Sequence, residues 1–212
     1  NTLYQNSGRG FFLDASFVAG LGAPSHKYLG WGANFFDADN DTDLDLYVAN
    51  GHVMDRIQAL EADLSYAQPD QLFLNDGSGH FAASAFTPAL VSRGAARGDY
   101  DEDGDLDILV NHVDAPAALY RNDLSHGAHW LGLALKGRAM GARVRLDCDG
   151  RSQYRAISTS GTYLSAHDPR LHFGLGTATR VDLKIRWPDG QIQNLHAVAA
   201  DQIMRVEQPP AP

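Results

Sequence analysis

The chain has 212 residues, 44% of them hydrophobic, with 26 acidic against 17 basic side chains and a formal net charge of −9. That length suits one large domain or two small ones with genuine cores, so a wholly disordered chain is excluded, and no run approaches the 18 apolar residues of a transmembrane helix. The acidity argues against nucleic acid and membrane as partners, and the single Cys148 excludes an internal disulfide framework or an all-cysteine zinc site.

The opening segment recurs further along. Residues 1–12 match residues 70–81: Leu3 with Leu72, Tyr4 with Phe73, Asn6 with Asn75, Gly8 with Gly77, Gly10 with Gly79 and Phe12 with Phe81. Leu119, Tyr120 and Asn122 start a third copy. A Leu-aromatic-x-Asn run, a Gly-x-Gly turn and a Phe together predict a strand, a hairpin and a second strand. Self-similarity of this kind signals units that bury their faces on one another.

Between these copies lie two acidic clusters at residues 37–45 and 99–107, each with Asp at positions 1, 3, 5, 7 and 9. On a straight strand alternate side chains share one face about 6.5–7 Å apart, and five like charges in that row would repel. A curled loop can turn several carboxylates toward one point, which is tolerable around a cation. All-oxygen ligation with flexible geometry suits Ca²⁺ better than Zn²⁺ or Cu²⁺, and Mg²⁺ holds its water too firmly for a crowded carboxylate cage. An EF-hand fails, because its twelfth position needs a bidentate Glu where Val48 and Val110 stand. The alternation of Leu44, Leu46 and Val48, and of Leu106, Ile108 and Val110, predicts an exiting strand instead of a helix. Two calcium sites are expected, with side-chain oxygens from Asp37, Asp39, Asp41 and Asp45 and from Asp99, Asp101, Asp103 and Asp107. Asp43 and Asp105 are expected to ligate through the main chain. Position 6 favours a positive φ, which Gly104 accepts and Thr42 resists.

Residues 51–68 interrupt the first unit, and Met54, Ile57, Leu60 and Leu64 have the spacing of a short surface helix. Beyond residue 124 the charge inverts: residues 1–124 hold 19 acidic and 6 basic side chains, residues 125–212 hold 7 and 11. Strands are predicted at 130–135, 142–148, 181–187, 192–195 and 202–206, with turns at Asp149-Gly150 and Pro188-Asp189-Gly190. The domain division expected is 1–124 and 125–212, the second a small antiparallel β-sandwich whose tail, residues 208–212, frays.

The Asp-x-Asp-x-Asp-Gly-x-x-Asp pattern of residues 99–107, within repeats of some sixty residues, resembles the FG-GAP/VCBS repeats of integrin-like β-propellers. The resemblance covers residues 1–123 and implies four-stranded blades with calcium in a hairpin loop of each. Since propellers need several blades, earlier blades are expected before Asn1, or other chains complete the ring. The second half resembles the ASPIC/UnbV domain of the cartilage acidic protein family. It does so through residues 141–144, Ser160-Gly161-Thr162-Tyr163-Leu164-Ser165, residues 168–176 and residues 181–190 with Arg186-Trp187-Pro188-Asp189-Gly190. Thr162 stands where that pattern usually has Gly.

The expected fold is therefore all-β: partial FG-GAP-type propeller blades followed by the sandwich. The expected function is a calcium-binding extracellular adhesion and interaction module, secreted, at the cell surface or in a periplasm. Protein or glycan partners are expected, or further copies and chains of a larger assembly, without membrane insertion. The alternatives are a structural subunit of such an assembly, and a hydrolase, lyase or cyclase on a propeller scaffold. No catalytic residue is assigned. Asp168-Pro169 reads as a turn, His172 alternates as a surface strand residue would, and His126 and His129 read as packing at the junction.

Overall fold

The structure, a computed structural model, describes residues 1–85, 87–124, 127–158 and 160–210. Strands β1 (Tyr4–Asn6) and β2 (Phe12–Asp14) form an exposed hairpin, and a single-turn helix α1 (Gly22–Ser25) follows. Next comes an antiparallel four-stranded meander of β3 (Gly30–Phe36), β4 (Asp45–Asn50), β5 (Gln71–Asn75) and β6 (Phe81–Ala85). Strands β7 (Ser92–Gly98), β8 (Asp107–His112) and β9 (Ala118–Tyr120) repeat its first three strands. The register repeats as well: Phe36 faces Asp45 as Gly98 faces Asp107, and Leu46 faces Phe73 as Ile108 faces Tyr120. The helical spacing in the 51–68 insertion yields one turn, α2 (Ile57–Leu60), pinned by the buried Ile57.

The alternation around β4 suggested one buried face, yet all six residues are buried. The reason is that both faces are covered. Leu46 and Val48 pack with Leu21, Phe73 and Phe81 on one side, while Tyr47 and Ala49 pack with Ala95, Ile108 and Val110 of the second unit.

The C-terminal segment contains β10 (His129–Lys136), β11 (Arg143–Cys148), β12 (Arg151–Ala156), β13 (Leu171–Gly176), β14 (Arg180–Arg186), β15 (Ile192–Ala199) and β16 (Gln202–Glu207). They form two sheets, ordered β12-β11-β14-β15 and β13-β10-β16. Inward residues of both sheets, among them Leu131, Leu133, Val144, Leu146, Phe173, Ile185 and Trp187, share one core. One pair departs from the antiparallel expectation: β10 and β16 run parallel. The short link through Ala200 and Asp201 carries the chain from one sheet to the other, so no hairpin dictates the direction of β16. Ser125 and His126, at the expected boundary, lie outside the described residues, as do the last two of the tail. No helix among the described residues is long and apolar enough to cross a membrane.

Candidate metal centre

The two acidic clusters are the β3–β4 and β7–β8 connections, and they fold alike. Asp37 accepts the Asp41 N–H at Oδ1 (3.1 Å) and the Thr42 N–H at Oδ2 (2.9 Å). Asp99 does the same with Asp103 and Gly104, both at 3.1 Å. Asp41 and Asp103 each accept the N–H two residues on. These local bonds curl the chain, and they require left-handed backbone at positions 4 and 6. Asn40 and Glu102 have φ of 60° and 59°, and Thr42 and Gly104 have 88° and 97°. Thr42 thus takes the conformation that its β-branch opposes.

Curling brings three carboxylates together in each loop. Oxygens of Asp37, Asp39 and Asp45 lie within 4.8 Å of one another, and so do those of Asp99, Asp101 and Asp107. The other four expected ligands lie outside these triads. Asp43 faces Arg151 at 3.8 Å, and Asp105 accepts the Asn40 side-chain amide at 2.9 Å. Asp41 and Asp103 hold the curl through their backbone bonds, and Arg121 lies 3.8 Å from Asp103.

Residues that the spacing did not single out hold position 9. Asp45 accepts from the Ala38 N–H at 2.7 Å and from the Asn75 N–H at 2.8 Å. Asp107 accepts from Tyr100 at 3.0 Å and from Asn122 at 2.9 Å. The Asn75 and Asn122 side-chain amides donate to the carbonyls of Leu44 and Leu106, and Asn122 also reaches the Ala38 carbonyl at 2.7 Å. The signal was present in the repeated Leu-aromatic-x-Asn motif, whose Asn links each hairpin to its aspartate loop.

Electrostatics oppose this arrangement in the absence of a cation. Burial, then repulsion from Asp41, pushes the Asp37 carboxyl up to about 8. Burial pushes Asp45 up to about 6 despite its two N–H donors, and raises Asp39, Asp99 and Asp107. Asp39 Oδ1 is buried with no hydrogen-bond partner. A divalent cation satisfies both conditions, since it favours the ionised carboxylates and gives the orphaned oxygen a partner. The triads offer hard, all-oxygen donors, which fits Ca²⁺.

Both loops press against β10 and β13. A Cβ at Gly104 would collide with the Trp130 indole, and one at Gly174 with the Asp37 carboxylate and the Asn40 backbone. Gly176 donates its N–H to the Asn40 carbonyl at 2.7 Å. Arg170 bridges the halves, binding Asp168, Glu102 at 2.9 Å and the Asp99 carbonyl at 2.7 Å, while Arg151 reaches Thr42 Oγ1 at 3.1 Å.

The histidines divide accordingly. Contrary to the surface expectation, His172 is buried, because the face it occupies on β13 is covered by the second loop: its Nε2 contacts the Gly104 carbonyl at 2.9 Å. Burial holds it down at about 4. Asp168 caps the Arg170 N–H as its turn predicts. His129 pairs with Asp201 at 2.8 Å.

Residues 132–212 match the ASPIC and UnbV family, so the C-terminal segment carries an ASPIC/UnbV domain. Cartilage acidic protein 1 of Mus musculus is 24% identical across 97% of this chain and 40% of its own length. The Homo sapiens protein of that name is 22% identical across 95% and 39%, and the Xenopus tropicalis one 29% across 74% and 25%. The chain therefore spans about two fifths or less of the length of these relatives.

Proposed function

We propose that this chain is a calcium-stabilised extracellular interaction module, in which FG-GAP-type blades are locked to an ASPIC/UnbV domain through their metal loops. The observation that carries this is the convergence of two equivalent carboxylate triads, Asp37/Asp39/Asp45 and Asp99/Asp101/Asp107. The similarity to cartilage acidic protein 1, named for an extracellular tissue, supports the location. Calcium would contribute charge neutralisation and hold each hairpin. The residues around it supply the rest: Asp41 and Asp103 keep the curl, and Asn75 and Asn122 fix position 9. The blade surfaces and sheet edges are then free for protein or glycan partners.

A ligand at a hundredfold its Kd adds about 2.7 kcal/mol of stability, or about 5–10 °C per site in a domain of this size. Thermal melts in excess calcium and in excess EDTA test the proposal. Two occupied sites give a drop of about 10 °C or more on chelation, which added calcium reverses. Superimposable melts would overturn the reading.

A further inference from the structure

On the outer face of the C-terminal sheet, β11 and β14 place Arg143 opposite Arg186 and Arg145 opposite Lys184. All four side chains are exposed. Like charges directly across a ladder destabilise it, so this quartet works against the sheet that carries it. Asp147 partly neutralises Arg145 at 2.8 Å. Among the described residues, Arg143, Lys184 and Arg186 have no ion-pair partner. On β12, Tyr154 stands opposite Arg145, 65% exposed, with its ring 6.0 Å from that guanidinium. These five side chains line a shallow open groove of about 530 Å³.

The ligand that fits carries separated negative charges on an extended polar body with a face for an aromatic ring. We propose that the groove binds an anionic polysaccharide, with carboxylate or sulfate groups on Arg143, Arg145, Lys184 and Arg186 and a sugar ring lying on Tyr154. A second copy is the poorer occupant, because the densest acidic segments of the chain, residues 37–45 and 99–107, are packed on their own C-terminal domain. Duplex nucleic acid keeps its bases stacked inside and offers Tyr154 no open ring face, so it is the competing polyanion that the test must separate. This groove lies apart from the aspartate loops and goes beyond the calcium reading.

Binding of the calcium-loaded protein to heparin and to polygalacturonate separates sulfate from carboxylate recognition; neutral dextran and duplex DNA serve as comparisons, all across a salt series. At least one anionic polysaccharide binds, and its affinity falls steeply with salt. R143S/R186S weakens that binding at least tenfold and lowers the salt slope by about two, while melting no lower than the wild type. Y154A weakens binding with the slope unchanged, and R138S/R205S, with the same loss of charge elsewhere, leaves it unaltered. The proposal is overturned if neither polysaccharide binds at low salt, if R143S/R186S binds as well as wild type, or if DNA binds more tightly than both. None of these outcomes depends on whether chelation shifts the melt, so the two proposals fail separately.

Discussion

Thr42 and Gly104 occupy the same position of the two loops with nearly the same backbone, φ 88° and 97°. A non-glycine residue held there costs about 1–3 kcal/mol, and glycine's extra unfolded-state freedom offsets up to about 1 kcal/mol of the relief. Its hydroxyl contact with the exposed Arg151 contributes little. Thr42→Gly should therefore raise the melting temperature by a few degrees, and a fall in a thermal melt would contradict the strain account. His172 gives a residue-scale test of the opposite kind. Burial depresses its folded value to about 4, below the ordinary 6.5. Above 6.5 both states are neutral and it contributes nothing to the pH dependence. As pH falls from 6.5 toward 4 the unfolded chain takes up the proton and the folded one does not, so stability is lost across that window, by about 2–3 kcal/mol. Protonation in place would bury an unpartnered Nδ1–H. The aspartates with raised values change stability in the opposite sense over part of this range, so the useful quantity is the difference between wild type and His172→Gln. The wild type should lose more than the variant between pH 6.5 and 4, measured by denaturant midpoint at each pH; parallel profiles would sink this.

At the scale of elements, the repeat makes strand, hairpin and aspartate loop visible in the sequence, because each depends on local chemistry: Gly-x-Gly for the turn, alternate Asp for the curl, alternating aliphatic residues for the exit. What was not legible depended on neighbours. β4 is buried on both faces because the second unit covers one and the segment of Ala19 and Leu21, with Phe73 and Phe81, covers the other, and a period-two pattern records one face. β13 carries His172 and Gly174, whose burial is set by loop residues that lie 68 or more positions earlier in the sequence. Of ten expected aspartate ligands, the two triads converge and the other four hold the loop or face neighbouring side chains, a division that spacing alone does not make. The position-9 Asn contacts allow an element-level test. Asn122→Ala leaves the carbonyls of Ala38 and Leu106 without their amide donor and the Leu124 N–H without its acceptor, whereas Asn75→Ala frees the Leu44 carbonyl and two exposed N–H groups, of Gly77 and Gly79, that water can satisfy. Each buried acceptor left unpaired costs about 1–3 kcal/mol. Asn122→Ala should therefore melt lower than Asn75→Ala by several degrees, because it also cuts the tie between the two units; equal melts would mean that this tie carries no stability.

The whole molecule is joined through the same loops proposed to bind metal. Gly104 sits under Trp130, Gly174 sits against Asp37 and Asn40, and Arg170 spans both halves. The opposite charges of the halves favour this docking, but the contacts are steric as much as ionic: glycine on one side meets indole or carboxylate on the other. If the loops keep their curl only when neutralised, loss of calcium must reach the ASPIC/UnbV domain as well. Chelation should then alter the fluorescence of Trp130, isolated in a protein whose Trp31 and Trp187 are replaced by Phe, and should speed hydrogen exchange in β10 and β13 along with the loops. Gly174→Ala, which forces a Cβ into Asp37, should reproduce part of both changes in the presence of calcium, at a cost of about 1–3 kcal/mol. Were chelation to loosen the loops while leaving the Trp130 signal and the β13 exchange untouched, the halves would be independent bodies, and the interface would be a consequence of proximity with no coupling through it.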